Sequence, residues 1–210
     1  MSDNQGWPAG EAPARAAPAP APGKLRWIEE LVNTGSVETG SDEIPAPAQL
    51  GSWLRDRLLL PGGVPVTADE HDRTVRIREG LRELIGANSA GSAAGDHAHG
   101  SRAARRATGG LALADLAGLA RRLPLVLDVD GGQPRLLPLS RGTADTVLAT
   151  LLAAVAESVA SGSWERLKIC RNPDCRWAYY DRSRNRSRAW CSMALCGNRA
   201  KARAFRSRGR

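Results

Sequence analysis

All four cysteines of this 210-residue chain fall in its last 41 positions, at Cys170, Cys175, Cys191 and Cys196. Their spacing is C-x4-C-x15-C-x4-C. Two close pairs joined by a loop are what a tetrahedral site requires, because each pair forms a short turn that aims two thiolates at one point. Asn172-Pro173-Asp174 supplies turn residues for the first pair. Ser192 is the expected N-cap of a helix that carries Cys196 in its opening turns. Trp177-Ala178-Tyr179-Tyr180 and Ala189-Trp190 read as two short antiparallel strands. Knuckle, hairpin and helix, in that order, make a treble-clef finger. Two disulfides are the alternative use of four cysteines. The N-terminus has no basic start and no apolar core of a secretory signal, so a cytoplasmic, reducing location is expected and zinc is preferred. Four thiolates fill the metal's shell and leave no position for water, so one structural Zn2+ is expected. Such metal binding is folding free energy, on the order of 10–16 kcal/mol for finger peptides. Its removal is expected to unfold the finger and spare residues 24–161.

The charge is divided as sharply as the cysteines. Residues 166–210 hold 14 Lys+Arg against 2 Asp+Glu, whereas residues 1–165 hold 16 against 20. A mildly acidic body thus carries a strongly basic end, which points to an anionic partner, nucleic acid first. Codon bias toward Arg explains 27 Arg to 3 Lys, but not the scarcity of acids in one region. Arg182, Arg184, Arg186 and Arg188 alternate and would share one face of an extended arm. Arg199, Arg203, Arg206 and Arg210 would form a stripe on the final helix. Together they suggest a phosphate clamp, with arginine also suited to reading guanine edges. Of the nearby aromatics, Trp177, Trp190 and Phe205 are expected to fill the finger's small core, leaving a tyrosine to stack on a base. The final helix lacks the apolar face that membrane-surface binding needs. No stretch offers the roughly 20 apolar residues of a membrane span.

The preceding region changes character several times. Residues 8–23 are Pro/Ala low complexity, so residues 1–23 read as a disordered arm. From Lys24 the spacing predicts helices around Trp27–Val32 and Ala48–Leu60, the second with Leu50, Trp53, Leu54 and Leu58 on one face. A third starts at the capping box Thr67-x-x-Glu70 and continues through Val75, Ile77, Leu81, Leu84 and Ile85. Residues 86–110 read as a Gly/Ala/Ser loop and 111–122 as a short helix. Leu123–Asp130 and Gln133–Leu139 flank Asp130-Gly131-Gly132 as a hairpin. Thr143–Ser161 reads as a buried helix stopped by Gly162. The expected fold class is therefore α+β: a mainly helical N-terminal domain with a β-hairpin over 24–161, and a treble-clef-like four-cysteine finger over 165–210. No catalytic motif is present, and no enzyme is expected. His97 and His99 lack nearby partners for a metal, and His71 reads as a helix-start residue.

The segment 167–208 closely resembles the CGNR zinc-finger family, named for Cys196-Gly197-Asn198-Arg199. The resemblance includes the four cysteines, the Tyr180–Ser183 turn, Trp190-Cys191-Ser192 and Lys201-x-Arg203. In that family the finger usually follows a domain called ABATE, associated with stress-induced transcription regulation. Leu31-Val32-Asn33-Thr34, the Arg78–Leu84 helix and the Gly131–Leu137 turn and strand are similar to that domain. The resemblance implies zinc ligation by Cys170, Cys175, Cys191 and Cys196, and DNA contact by the basic residues, Lys201 included. It also implies a sensing pocket for a small-molecule ligand, for which Asn33 and Arg78 are the candidates; a buried Arg78 would need an anionic partner. The function expected is a DNA-binding transcriptional regulator. An RNA-binding finger and an adaptor that docks an acidic protein are the alternatives.

Overall fold

The computed structural model describes residues 19–57, 59–90, 102–132, 134–139 and 141–208. His97, His99, Leu58, Arg210 and most of the Pro/Ala arm lie outside them. The first helices are α1 (Leu25–Asn33), α2 (Pro47–Asp56), with a proline at its first turn, and α3 (Ala68–Ala90). The capping box of α3 forms as expected. The Thr67 backbone N–H donates to Glu70 Oε2 at 2.9 Å, and the Glu70 N–H donates to Thr67 Oγ1 at 3.2 Å. Glu70 Oε1 also accepts from the Ala144 N–H, joining the start of α3 to that of a later helix.

α3 is the central strut. Ile77, Leu81 and Ile85 are fully buried along it, and it packs against α1, α2, and then α4 (Arg102–Ala120) and α5 (Ala144–Ala160). α4 begins far earlier than the expected short helix at 111–122, inside the stretch read as a loop. The small residues there do not break the helix, and its close approach to α3 is set by Gly80 of α3, where an added Cβ would lie 2.6 Å from Leu116 Cβ of α4. The strands β1 (Leu125–Asp128) and β2 (Arg135–Pro138) pair antiparallel, Leu127 opposite Leu136, and β2 lies on α5. Thr143 caps α5 by accepting from the Thr146 N–H, and Gly162 takes the left-handed conformation that ends it, φ +68°.

The finger is continuous with this body. β3 (Leu167–Ile169) and β4 (Ala178–Tyr180) pair antiparallel across the first cysteine turn, Lys168 opposite Tyr179. This differs from the expected strand pair, since Ala189-Trp190 is not a strand. Leu167, Ile169, Ala178 and Tyr180 belong to the same buried core as Ile28, Leu31, Ile77 and Leu81. A π-helical turn (Met193–Gly197) leads into α6 (Asn198–Arg208). Ala21, assigned by the sequence reading to the disordered arm, is buried in the core, and its N–H donates to Glu29 Oε2 at 2.6 Å. No helix among the described residues is long and apolar enough to cross a membrane.

Candidate metal centre and its basic surround

Each cysteine is positioned by a backbone turn. Cys170 follows β3, and its N–H donates to Trp177 O at 2.8 Å, closing the strand pair. Between them Asn172 O accepts from the N–H groups of Cys175 and Arg176, and Arg176 takes φ +48°. Cys191 precedes Ser192, whose hydroxyl accepts from the Leu195 N–H at 3.3 Å and so caps the turn that delivers Cys196. The four sulfurs are buried and lie within 4.8 Å of one another. Cys175 and Cys191 are 3.7 Å apart, Cys191 and Cys196 3.8 Å. Zinc–thiolate bonds of about 2.3 Å in a tetrahedron set sulfurs about 3.8 Å apart, so the cluster has the size of a zinc shell. The separation is far beyond a disulfide bond of about 2.05 Å, and the four thiols are unlinked.

The chemistry of the donor set agrees. The Cys175 thiol beside it, and then burial, push the Cys170 thiol up to about 12, although the Cys191 thiol, and after it the N–H groups of Cys191 and Asn172, oppose this. Cys191 is pushed up in the same way by its sulfur neighbours. Thiolates crowded into a dry site need a cation, and Cys170, Cys175, Cys191 and Cys196 are placed to hold one zinc ion that would supply it. Around them, Asn172 is buried and donates through Nδ2 toward Cys196 Sγ at 3.8 Å, while its Oδ1 accepts from Arg203. It is more than a turn residue: it orients a ligand. Trp177 and Trp190 pack on the cluster, as expected.

The Tyr180–Ser183 turn is an Asp-centred knot. Asp181 is fully buried; Oδ1 accepts from the Ser183 N–H, and Oδ2 accepts from the Arg188 N–H and from Lys168 Nζ at 2.9 Å. Burial works against its charge, but these bonds prevail and hold the carboxyl below the usual carboxylate range. The knot also disposes of the expected arginine row. Residues 181–188 turn, with Arg186 at φ +49°. Arg188 folds inward, donating to Trp190 O and Cys191 O and lying over the Tyr179 ring. Arg182 bonds Pro20 O, Arg186 pairs with Glu165, and Arg184 stands exposed.

On α6, Arg199 reaches Glu38 of the N-terminal domain at 2.5 Å, and Arg203 turns toward Asn172 and Asp174. Lys201 and Arg206 are exposed. Both tyrosines are buried, Tyr179 with its hydroxyl on Arg188 O, so neither is placed to stack on a base. Phe205, expected in the finger's core, is instead 77% exposed.

The two pocket candidates serve the scaffold. The Asn33 amide bonds both backbone groups of Ala178, at 3.0 and 2.8 Å, and so stitches α1 to β4. Arg78 is buried and its anionic partner is Asp42, bonded at 2.8 and 2.9 Å, with Thr34 Oγ1 and Glu79 completing its shell. Neither lines the surface depression of about 270 Å3 beside α2, which is formed by Glu43, Ala48, Gln49, Ser52, Trp53 and Asp56. His71 bonds Ile44 O near the start of α3. Sequence reasoning missed Asn88 and Ser89, at the end of α3, which bond Trp164 O, Leu167 O and Ile169 and hold β3 in place. Both lie in the stretch read as a Gly/Ala/Ser loop, where α3 in fact continues to Ala90, and short polar residues there carry no sign of this role.

Two family descriptions match the chain. Residues 166–209 match the CGNR zinc finger. Residues 25–162 match ABATE, described as "Putative stress-induced transcription regulator". No curated protein matches the chain at a significant level.

Proposed function

Because the chain belongs to the ABATE family and carries a CGNR zinc finger, we propose that it is a transcription regulator whose finger binds duplex DNA. The observation that carries this reading is the set of cations around the zinc centre. Arg184, Lys201 and Arg206 are exposed with no partner among the described residues, and α6 contains five Lys/Arg and no acid. Phosphates are the partner that such a surface fits. The second half of the proposal is regulatory. The finger's strands lie in the N-terminal core and are tied to it by Asn33, Asn88, Ser89, the Arg176–Glu83 pair and the Arg199–Glu38 pair. A stress signal that repacks the N-terminal domain therefore changes how α6 is presented. The role proposed is binding, not catalysis.

The test is fluorescence anisotropy of the full-length, zinc-loaded protein with duplex DNA across a salt series. A steep log–log slope is expected, near −0.9 per phosphate contacted. Replacing Arg184, Lys201 and Arg206 together by Ala should reduce the slope by about 1 per cation removed. A slope near zero overturns the proposal. Tighter binding of duplex RNA favours the RNA reading, and a stoichiometric acidic protein partner without DNA affinity favours the adaptor.

A further inference from the structure

α6 has an outward row that the phosphate-binding reading does not use. Asn198, Ala202 and Phe205 fall at i, i+4 and i+7, one face of the helix, and all three are exposed. The opposite side is spent on the protein, with Ala200 and Ala204 half-buried, Arg199 on Glu38 and Arg203 on Asn172. Lys201 and Arg206 lie on either side of the outward row. Phe205 is the chain's one phenylalanine. At 77% exposure it is the most exposed of the large apolar side chains among the described residues. A bare aromatic ring on the most polar helix of the molecule contributes nothing to the core, yet it sits at the centre of a cationic face.

We propose that this row is the base-reading face of α6 and that it selects A·T pairs in the major groove. The inference rests on the DNA-binding reading above and adds its specificity. Lys201 and Arg206 supply charge complementarity on both flanks and would hold the two phosphate backbones, while the row between them faces the base edges. Phe205 and Ala202 offer apolar contact, and the apolar feature of the major groove is the thymine 5-methyl group. Asn198 donates one amide hydrogen to Ala194 O at 3.1 Å. Its oxygen and second amide hydrogen remain for the N6 and N7 positions of adenine. The row contains no group that would prefer a guanine. Arginine, the usual guanine reader, is absent from it.

The experiment selects duplexes from a random library with the full-length, zinc-loaded protein, using the parent and Phe205→Ala. Zinc content and circular dichroism of the variant should match the parent, since the ring touches no core. The parent's selected sites are expected to be enriched in A·T pairs. Replacing a contacted thymine by deoxyuridine, which removes only the methyl, should weaken binding by roughly 5-fold or more. Phe205→Ala should bind with the parental salt slope but lose the thymine–deoxyuridine difference. Asn198→Ala should relax selection for adenine beside it. Parental sites without A·T enrichment, or indifference to deoxyuridine, overturn the inference while a steep salt slope leaves DNA binding standing. Tighter binding to single strands, abolished by Phe205→Ala, overturns it in favour of base stacking. No affinity for duplex DNA at low salt overturns both readings.

Discussion

Arg78 and Arg82 are two cations, 5% and 3% exposed, one turn apart inside the N-terminal domain. Arg78 is stable there because Asp42 meets it with both oxygens. Arg82 relies on the carbonyls of Val32 and Gly35 and on Glu79, and burial, then the neighbouring cations Arg78 and Arg176, lower its pKa. Asp42→Asn therefore leaves a buried charge poorly compensated. It should cost about 3–5 kcal/mol in urea denaturation. A loss under 1 kcal/mol would mean that Glu79, the other carboxylate on Arg78, compensates the charge by itself. Glu29 presents the opposite case. Burial raises its pKa, and the N–H groups of Ala21 and Tyr180 only partly offset this. A carboxyl with a raised folded pKa contributes stability below its unfolded value, about 4.3, and loses it as pH rises through the folded value. Glu29→Gln should thus melt higher than the parent at pH 7, and the gap should close toward pH 4. A gap independent of pH would assign the effect to hydrogen bonding instead.

Between elements, close approach is decided by the smallest residues. Gly80 lets α4 lie directly against α3: a Cβ there would also meet Ala112 O at 2.9 Å, which cannot move aside as a side-chain tip can. Gly80→Ala should lose about 1–3 kcal/mol through overpacking, despite the better helix propensity of alanine. Gly86, on the same helix, has nothing within 4 Å of its would-be Cβ. Gly86→Ala should be neutral or slightly stabilising in the same thermal melt. Equal effects at the two glycines would remove the packing explanation. The 181–188 segment shows the reverse lesson. Alternating arginines predict a strand face, but a buried Asp181 gathers the N–H groups of Ser183 and Arg188 into a turn. Local side-chain bonds of this kind compete with extended structure and win when the carboxylate is also paired with Lys168.

For the molecule as a whole, the shared core alters what zinc loss should do. The four-cysteine cluster and its packed tryptophans form a small nucleus of their own, but Leu167, Ile169, Ala178 and Tyr180 are held in the larger core. An isolated finger would expose all four. Chelation should therefore remove hydrogen-exchange protection from α1 and the end of α3 as well as from the finger, and lower the melting temperature of the full chain. Loss of protection confined to residues 170–208 would restore the independent finger that the sequence suggests. Such coupling gives the N-terminal domain a physical route to the finger, which the regulatory half of the proposed function requires.

The sequence by itself determined what depends on spacing. Cysteine intervals predict the zinc shell, the Thr67–Glu70 box starts α3, and an apolar stretch stopped by Gly162 marks α5. These are local rules in which residues a few positions apart must meet. Tertiary structure decided what depends on partners far along the chain. Arg78 became scaffold because Asp42, brought in by a loop, reaches it. Asn33 became a stitch because β4 passes beside α1, and Phe205 became a surface residue because α6 turns Ala200 and Ala204, not Phe205, toward the protein. Burial is a property of the packed whole, and composition reports only which residues are suited to it.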